Sequence, residues 1–107
     1  IRPALGITVD GKLNNRLIER LKVSGVVILT ISPGSAADSA GLKGATMTPE
    51  GNIVANDIIV AVEQKPVDSV EKLLARIDGY KVGDTIQLTV LRKGEEIVVP
   101  VTLQPGE

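Results

Sequence analysis

Residues 25–42 read GVVILTISPGSAADSAGL, and the reading of this run decides the fold. Residues 26–31 are nearly continuously apolar and rich in β-branched side chains, which suits a strand. Ser32-Pro33-Gly34 then turns the chain. Ser35 is a good helix N-cap with Asp38 three residues on, and Gly41 suits the left-handed position that closes a short helix. Leu42 follows as a residue that closes the core beneath it. A strand, a turn and a short capped helix in such close succession imply a mixed α and β domain.

Upstream, Leu5-Gly6-Ile7-Thr8-Val9 alternates, with Leu5, Ile7 and Val9 on one face. Gly6 is out of place there, because glycine loses more backbone entropy on ordering than other residues and offers nothing to pack. Two readings stay open: a bulge in an ordinary strand, or a position where another group must approach the backbone closely. After Asp10-Gly11, the residues Leu13, Leu17, Ile18 and Leu21 form one helical stripe, and Asn14, Arg16, Glu19 and Arg20 read as its wet side.

Downstream, residues 43–56 loosen into an exposed loop or small hairpin around Thr48-Pro49-Glu50-Gly51-Asn52. A strand is expected over 58–63, followed by a turn and the rigid Pro66. Asp68 or Ser69 caps a helix running to Gly79, with Glu71 completing a capping box if Asp68 is the cap. Val70, Leu73, Leu74 and Ile77 make its apolar face. Two strands, 85–92 and 97–103, close the chain as a hairpin around Lys93-Gly94. Pro100 lacks an N–H, which implies either an edge position for the second of these strands or an unpaired site in its ladder. The whole describes an α+β partial β-barrel of five to six short strands with two to three helices.

Composition removes several function classes. Twelve Lys and Arg balance thirteen Asp and Glu, and one Tyr is the sole aromatic, so neither a basic stripe nor a stacking platform for nucleic acid exists. No histidine is present, which excludes a Ser-His-Asp or Cys-His arrangement within this chain. Cysteine is absent too, and the aspartates are scattered without ligand spacing, so no metal or other cofactor is expected. No apolar run approaches the roughly 20 residues that span a bilayer, and insertion of this domain into a membrane is not expected. The chain begins Ile1-Arg2-Pro3 without an initiator Met, and is expected to be a single domain, residues 1–107, cut from a longer protein.

In order along the chain, LGI, SPGSAADSAGL, NDIIVAVEQKPV, SVEKLLARI, VGDTIQLTVLRKG and VPVTL resemble the PDZ domains of the HtrA/Deg family of serine proteases. The likeness covers nearly the whole chain, and RPALGI at the start points to HtrA. It implies a circularly permuted, bacterial-type PDZ topology. It also implies a loop, Ala4-Leu5-Gly6-Ile7, whose N–H groups receive the carboxylate of a bound peptide, with glycine permitting that approach. The peptide would add as a strand against Ile7, Thr8 and Val9. Leu5, Ile7 and Val9 would floor the groove, with Val70, Leu74 and Ile77 facing it from the helix; a plain core role for those three stays open, and Leu73 reads as core. Arg2 is either solvated or an aid to the carboxylate.

The chain departs from the family's pattern in places. Val70 stands where many PDZ domains carry a groove histidine, Asn56-Asp57 replaces a Gly-Asp pair, and Gln64-Lys65 replaces the usual Asn-Gly turn. Residues 43–56 resemble an insertion of some Deg relatives. By resemblance, the partners are peptides or the C-termini of unfolded proteins, together with an attached protease domain, in an extracytoplasmic setting such as a periplasm or an organelle lumen. The rival readings are a module of a site-2 metalloprotease or C-terminal processing protease, and a structural domain whose groove docks a sister domain.

Overall fold

In the computed structural model, which describes residues 3–105, the apolar run 26–31 is split between two sheets. Counting along the chain, the strands are β1 (Pro3–Ala4), β2 (Ile7–Thr8), β3 (Val26–Val27), β4 (Thr30–Ile31), β5 (Thr46–Met47), β6 (Ile53–Val54), β7 (Asp57–Val62), β8 (Lys65–Pro66), β9 (Thr85–Arg92), β10 (Glu95–Thr102) and β11 (Gln104–Pro105). The helices are α1 (Gly11–Leu21), α2 (Ala36–Ser39) and α3 (Val70–Ile77). The chain leaves β3 and bends at Ile28-Leu29 into β4, so one apolar run serves two sheets. The result is the expected α+β fold with several short strands and no closed barrel.

The main sheet runs β10-β9-β7-β3, all antiparallel, with β8 also paired to β7. Both of its faces are covered. Val26, Ile59, Leu88 and Val90 pack with Leu73 and Ile77 of α3 on one side, while Val27 and Ile58 pack with Leu17 of α1 on the other. Double coverage explains why VVI and IIV read as continuous apolar runs instead of alternating. Residues 43–56 form the β5–β6 hairpin, and among the described residues β10 pairs with β9 alone, which places Pro100 at an edge, one of its two expected positions.

Asn14 corrects the sequence reading. It sits on the supposed wet side of α1 yet is 2% exposed. Its Oδ1 accepts the Val27 N–H at 2.7 Å and its Nδ2 donates to the Gly25 carbonyl at 3.1 Å. β3 pairs with β7 on one edge, and Asn14 satisfies the backbone on the other, because a buried N–H left alone is costly. The side chain of Leu21 lies outside the described residues, as do Ile1 and Arg2.

Local signals set the ends of the helices. Asp10 caps α1 through the Leu13 N–H at 2.9 Å, Ser35 caps α2, and Ser69, not Asp68, caps α3 by accepting from Lys72 N. The tight connection from β7 to β8 falls one residue earlier than read, on Glu63 and Gln64, whose φ values are 50° and 67°. Two consecutive positive φ values define the hairpin turn that favours Asn-Gly, so the exposed Gln64 holds a conformation that costs a non-glycine residue about 1 kcal/mol. Gln64→Gly is therefore expected to raise the stability by about that amount in urea unfolding. Glu63 should be kept, since its Oε1 accepts the Gln87 N–H at 2.6 Å.

Candidate functional site

The small sheet of β2 and β4 pairs Ile7 with Ile31 and Thr8 with Thr30. β2 has no second partner among the described residues, so its other edge is open. The hydrogen bonds at its start fix where the backbone points. The Leu5 carbonyl accepts from Ala37 N at 2.9 Å, the Gly6 carbonyl from Ser32 N at 2.9 Å, and the Thr8 carbonyl from Leu29 N at 3.0 Å. All peptide bonds among the described residues are trans. In a planar trans peptide, the N–H points opposite to the carbonyl it follows. The Gly6 N–H is therefore turned away from α2, and the Ile7 N–H away from β4, toward the open edge.

Beside that edge lies an apolar pocket of about 130 Å³ lined by Pro3, Ala4, Leu5, Gly6, Ile7, Val9, Leu73, Leu74 and Ile77. Apolar cavities of about 150 Å³ accept a benzene-sized molecule. No titratable side chain among the described residues lines the pocket, so what those residues offer is main-chain donors and aliphatic walls. The structure thus brings Ala4, Leu5, Gly6, Ile7, Val9, Leu74 and Ile77 together around this pocket. Val70 is partly buried against the core and Thr8 is exposed, and neither lines the pocket. Pro3 was not anticipated as a lining residue, and Leu73, read as core, both fills the core and lines the pocket.

Burial separates the lining residues into two kinds. Leu5 and Ile77 are 3% and 4% exposed and belong to the main core, whereas Leu74 is 51% exposed. Leu74 is thus a wall that the fold does not need. The β5–β6 hairpin contributes no lining residue; its Thr46, Met47 and Ile53 border a different hollow with Leu13 and Leu29.

Gly6 has a reason the sequence did not reveal. Its φ is +81°, and a Cβ placed on it would stand 2.2 Å from Ser35 Cβ and 2.8 Å from Ser35 Oγ. What comes close to this backbone is the domain's own helix cap. The requirement for glycine is met inside the fold, without invoking an approaching peptide.

Residues 3–103 match the family model of the PDZ domain. The chain belongs to the PDZ domain family. Over 104 residues it is 36% identical to the chloroplastic Protease Do-like 1 of Arabidopsis thaliana, covering 97% of this chain and 23% of that protein. Against the periplasmic serine endoprotease DegP of Salmonella typhimurium it is 33% identical over 106 residues, covering 96% and 20%. These relatives make it a PDZ domain of the HtrA/Deg type. The chain spans about a fifth of the length of the curated relatives it matches.

Solved structures agree on the fold. The HtrA-type protease AlgW with decapeptide superposes with a TM-score of 0.74 at 21% identity, covering all of this PDZ domain and 31% of that chain. The HtrA3 PDZ domain bound to a phage-derived ligand, FGRWV, superposes at 0.70 and 19% identity, covering 96% of this chain and 86% of that one.

Proposed function

We propose that this PDZ domain binds the C-terminal end of a polypeptide, or an extended unfolded segment, by strand addition to the open edge of β2. The observation that carries the reading is that open edge lying beside an aliphatic pocket whose outer wall is Leu74. The bound chain runs antiparallel to β2, and its terminal carboxylate lies at the loop of Ala4, Leu5, Gly6 and Ile7, where the Gly6 and Ile7 N–H groups are turned outward. Its last side chain enters the pocket between Ile7 and Leu74. An aliphatic lining favours Val, Leu, Ile, Ala or Phe at that position, and burial of one such side chain contributes about 1.5–3 kcal/mol. Main-chain bonds add affinity, and ordering a loose peptide subtracts from it, which places Kd in the micromolar range at about −8 kcal/mol. Val70 and Thr8 flank this path farther from the carboxylate and would face upstream peptide residues.

Binding of this kind recruits substrate to an attached HtrA-type serine protease or shifts its activity, in a periplasm or an organelle lumen. The names of the relatives support that setting, being periplasmic in one case and chloroplastic in the other.

The test is a titration of labelled peptides ending in Val, as free acid and as amide, into the wild-type domain and Leu74→Lys. The free acid is expected to bind with micromolar Kd and the amide at least tenfold more weakly. Leu74→Lys should weaken the free acid by roughly ten- to a hundredfold with an unchanged circular dichroism spectrum, since Leu74 lies outside the core. If neither peptide binds, strand addition is wrong and docking of a sister domain gains.

A further inference from the structure

The loop at the carboxylate end of the groove is held by a side chain distant in sequence. β11 pairs with β1, matching Ala4 with Gln104 and Pro3 with Pro105. From that position the Gln104 side chain reaches across to α2, where its Oε1 accepts the Ala36 N–H at 2.6 Å. Ala36 opens α2, and its N–H is one of the first-turn donors that no helical carbonyl satisfies. The same side chain lies over Gly6: a Cβ placed there would meet Gln104 Nε2 at 3.4 Å. Ser35 covers the rest of the Gly6 face, and Ala37 holds the Leu5 carbonyl. Gln104 therefore joins three pieces: the strand that brings the chain to the loop, the first turn of α2 that grips the Leu5 carbonyl, and the glycine between them.

We propose that Gln104 is a positioning residue for the carboxylate-binding end of the groove. It touches no peptide in this arrangement. It fixes the first turn of α2 against Leu5 and Gly6, and through the bond from Ala37 it sets the plane of the peptide unit whose N–H belongs to Gly6. The inference rests on the reading of the groove as a carboxylate site. Without the Gln104 acceptor, the Ala36 donor loses its partner, α2 is free to shift, and the Gly6 and Ile7 N–H groups lose their common aim.

Gln104→Met keeps the length of the side chain and removes the acceptor. Titrated with the free-acid and amide peptides ending in Val, this variant is expected to bind the free acid about tenfold more weakly than wild type, as for one lost hydrogen bond. Its affinity for the amide should stay within twofold. In the ligand-free protein, the nuclear magnetic resonance amide signals of Gly6, Ile7 and Ala36 should move while those of β9 and β10 stay. Equal loss for both peptides, or unchanged affinity for the free acid, overturns the proposal. If the wild-type domain fails to distinguish the two peptides, the carboxylate reading has failed, and unmoved Gly6 and Ile7 signals in Gln104→Met overturn the positioning role as well. Gln104→Glu retains an oxygen at Oε1 and covers the case in which Gln104→Met does not fold: its ligand-free Gly6 and Ile7 signals should stay near the wild-type positions, and displaced signals count against the Ala36 contact.

Discussion

Arg92→Met is expected to destabilise the domain by about 3–5 kcal/mol at neutral pH, because it strands a buried carboxylate. Asp57 is fully buried, and among the described residues its side chain accepts hydrogen bonds from two sources. Arg92 donates through Nε to Oδ1 and through Nη2 to Oδ2, both at 2.7 Å, and Lys43 N–H donates to Oδ2 at 2.9 Å. Arg92 also donates to the Gly41 carbonyl at 3.1 Å, so the pair ties the end of α2 to the ends of β7 and β9. Methionine preserves the bulk of the stem and removes the three Arg92 hydrogen bonds together with their charge. The loss is measured as the difference between wild-type and variant urea unfolding.

The pH dependence gives this effect a signature. Burial pushes the Asp57 carboxyl up, but the bonds from Arg92 and Lys43 N–H outweigh it and hold the group below its ordinary 3.8. A carboxyl lowered in the folded state contributes stability above the unfolded value, and that contribution is lost as pH falls through the folded one. In Arg92→Met the burial penalty has lost its main opponent, so the folded carboxyl moves upward and the variant regains stability as pH falls. The gap between wild type and variant should therefore narrow from pH 7 to pH 3. A gap as wide at pH 3 as at pH 7 would show that the carboxylate is not its source.

This pair also marks what the sequence withholds. Asp57 and Arg92 lie 35 residues apart, and they meet because the β7–β9 register sets them directly opposite. Elements governed by neighbours in sequence were legible: the hairpin at Lys93-Gly94, the Ser35 cap and the apolar face of α3. Alternation and composition carry no information about which sheet a strand joins, so the division of residues 26–31 was hidden. Asn14 was misread for a related reason, since a polar residue on a helix marks the wet side unless a strand edge lies beneath it. Much of the pocket lining was readable from the resemblance and the helical spacing of Leu74 and Ile77. Gln104 and Ser35 as supports of the loop were not, because their roles depend on contacts with Ala36 and Gly6 that only the folded chain creates.

Gly6→Ala should cost about 2–5 kcal/mol and disable the groove by the same distortion. Part of the cost is conformational, since a φ of +81° is unfavourable for alanine by about 1–2 kcal/mol. The rest is overlap: carbon atoms in contact prefer about 3.5–4.0 Å, and the new methyl would stand 2.2 Å from Ser35 Cβ. That carbon is bonded directly to the backbone of the α2 cap, so rotating the side chain does not remove it, and an overpacked site of this kind costs about 1–3 kcal/mol. The two parts separate by experiment. Adding Ser35→Gly deletes the obstructing carbon, and glycine at an N-cap costs only a few tenths of a kcal/mol relative to serine. Gly6→Ala with Ser35→Gly should therefore recover the overlap part in urea unfolding and retain the conformational part. A double variant no more stable than Gly6→Ala alone would mean that Ser35 is not the obstruction. Peptide affinity should fall further than stability in Gly6→Ala, because relief of the overlap pushes α2 from the loop and turns the Gly6 and Ile7 N–H groups off the edge they now face.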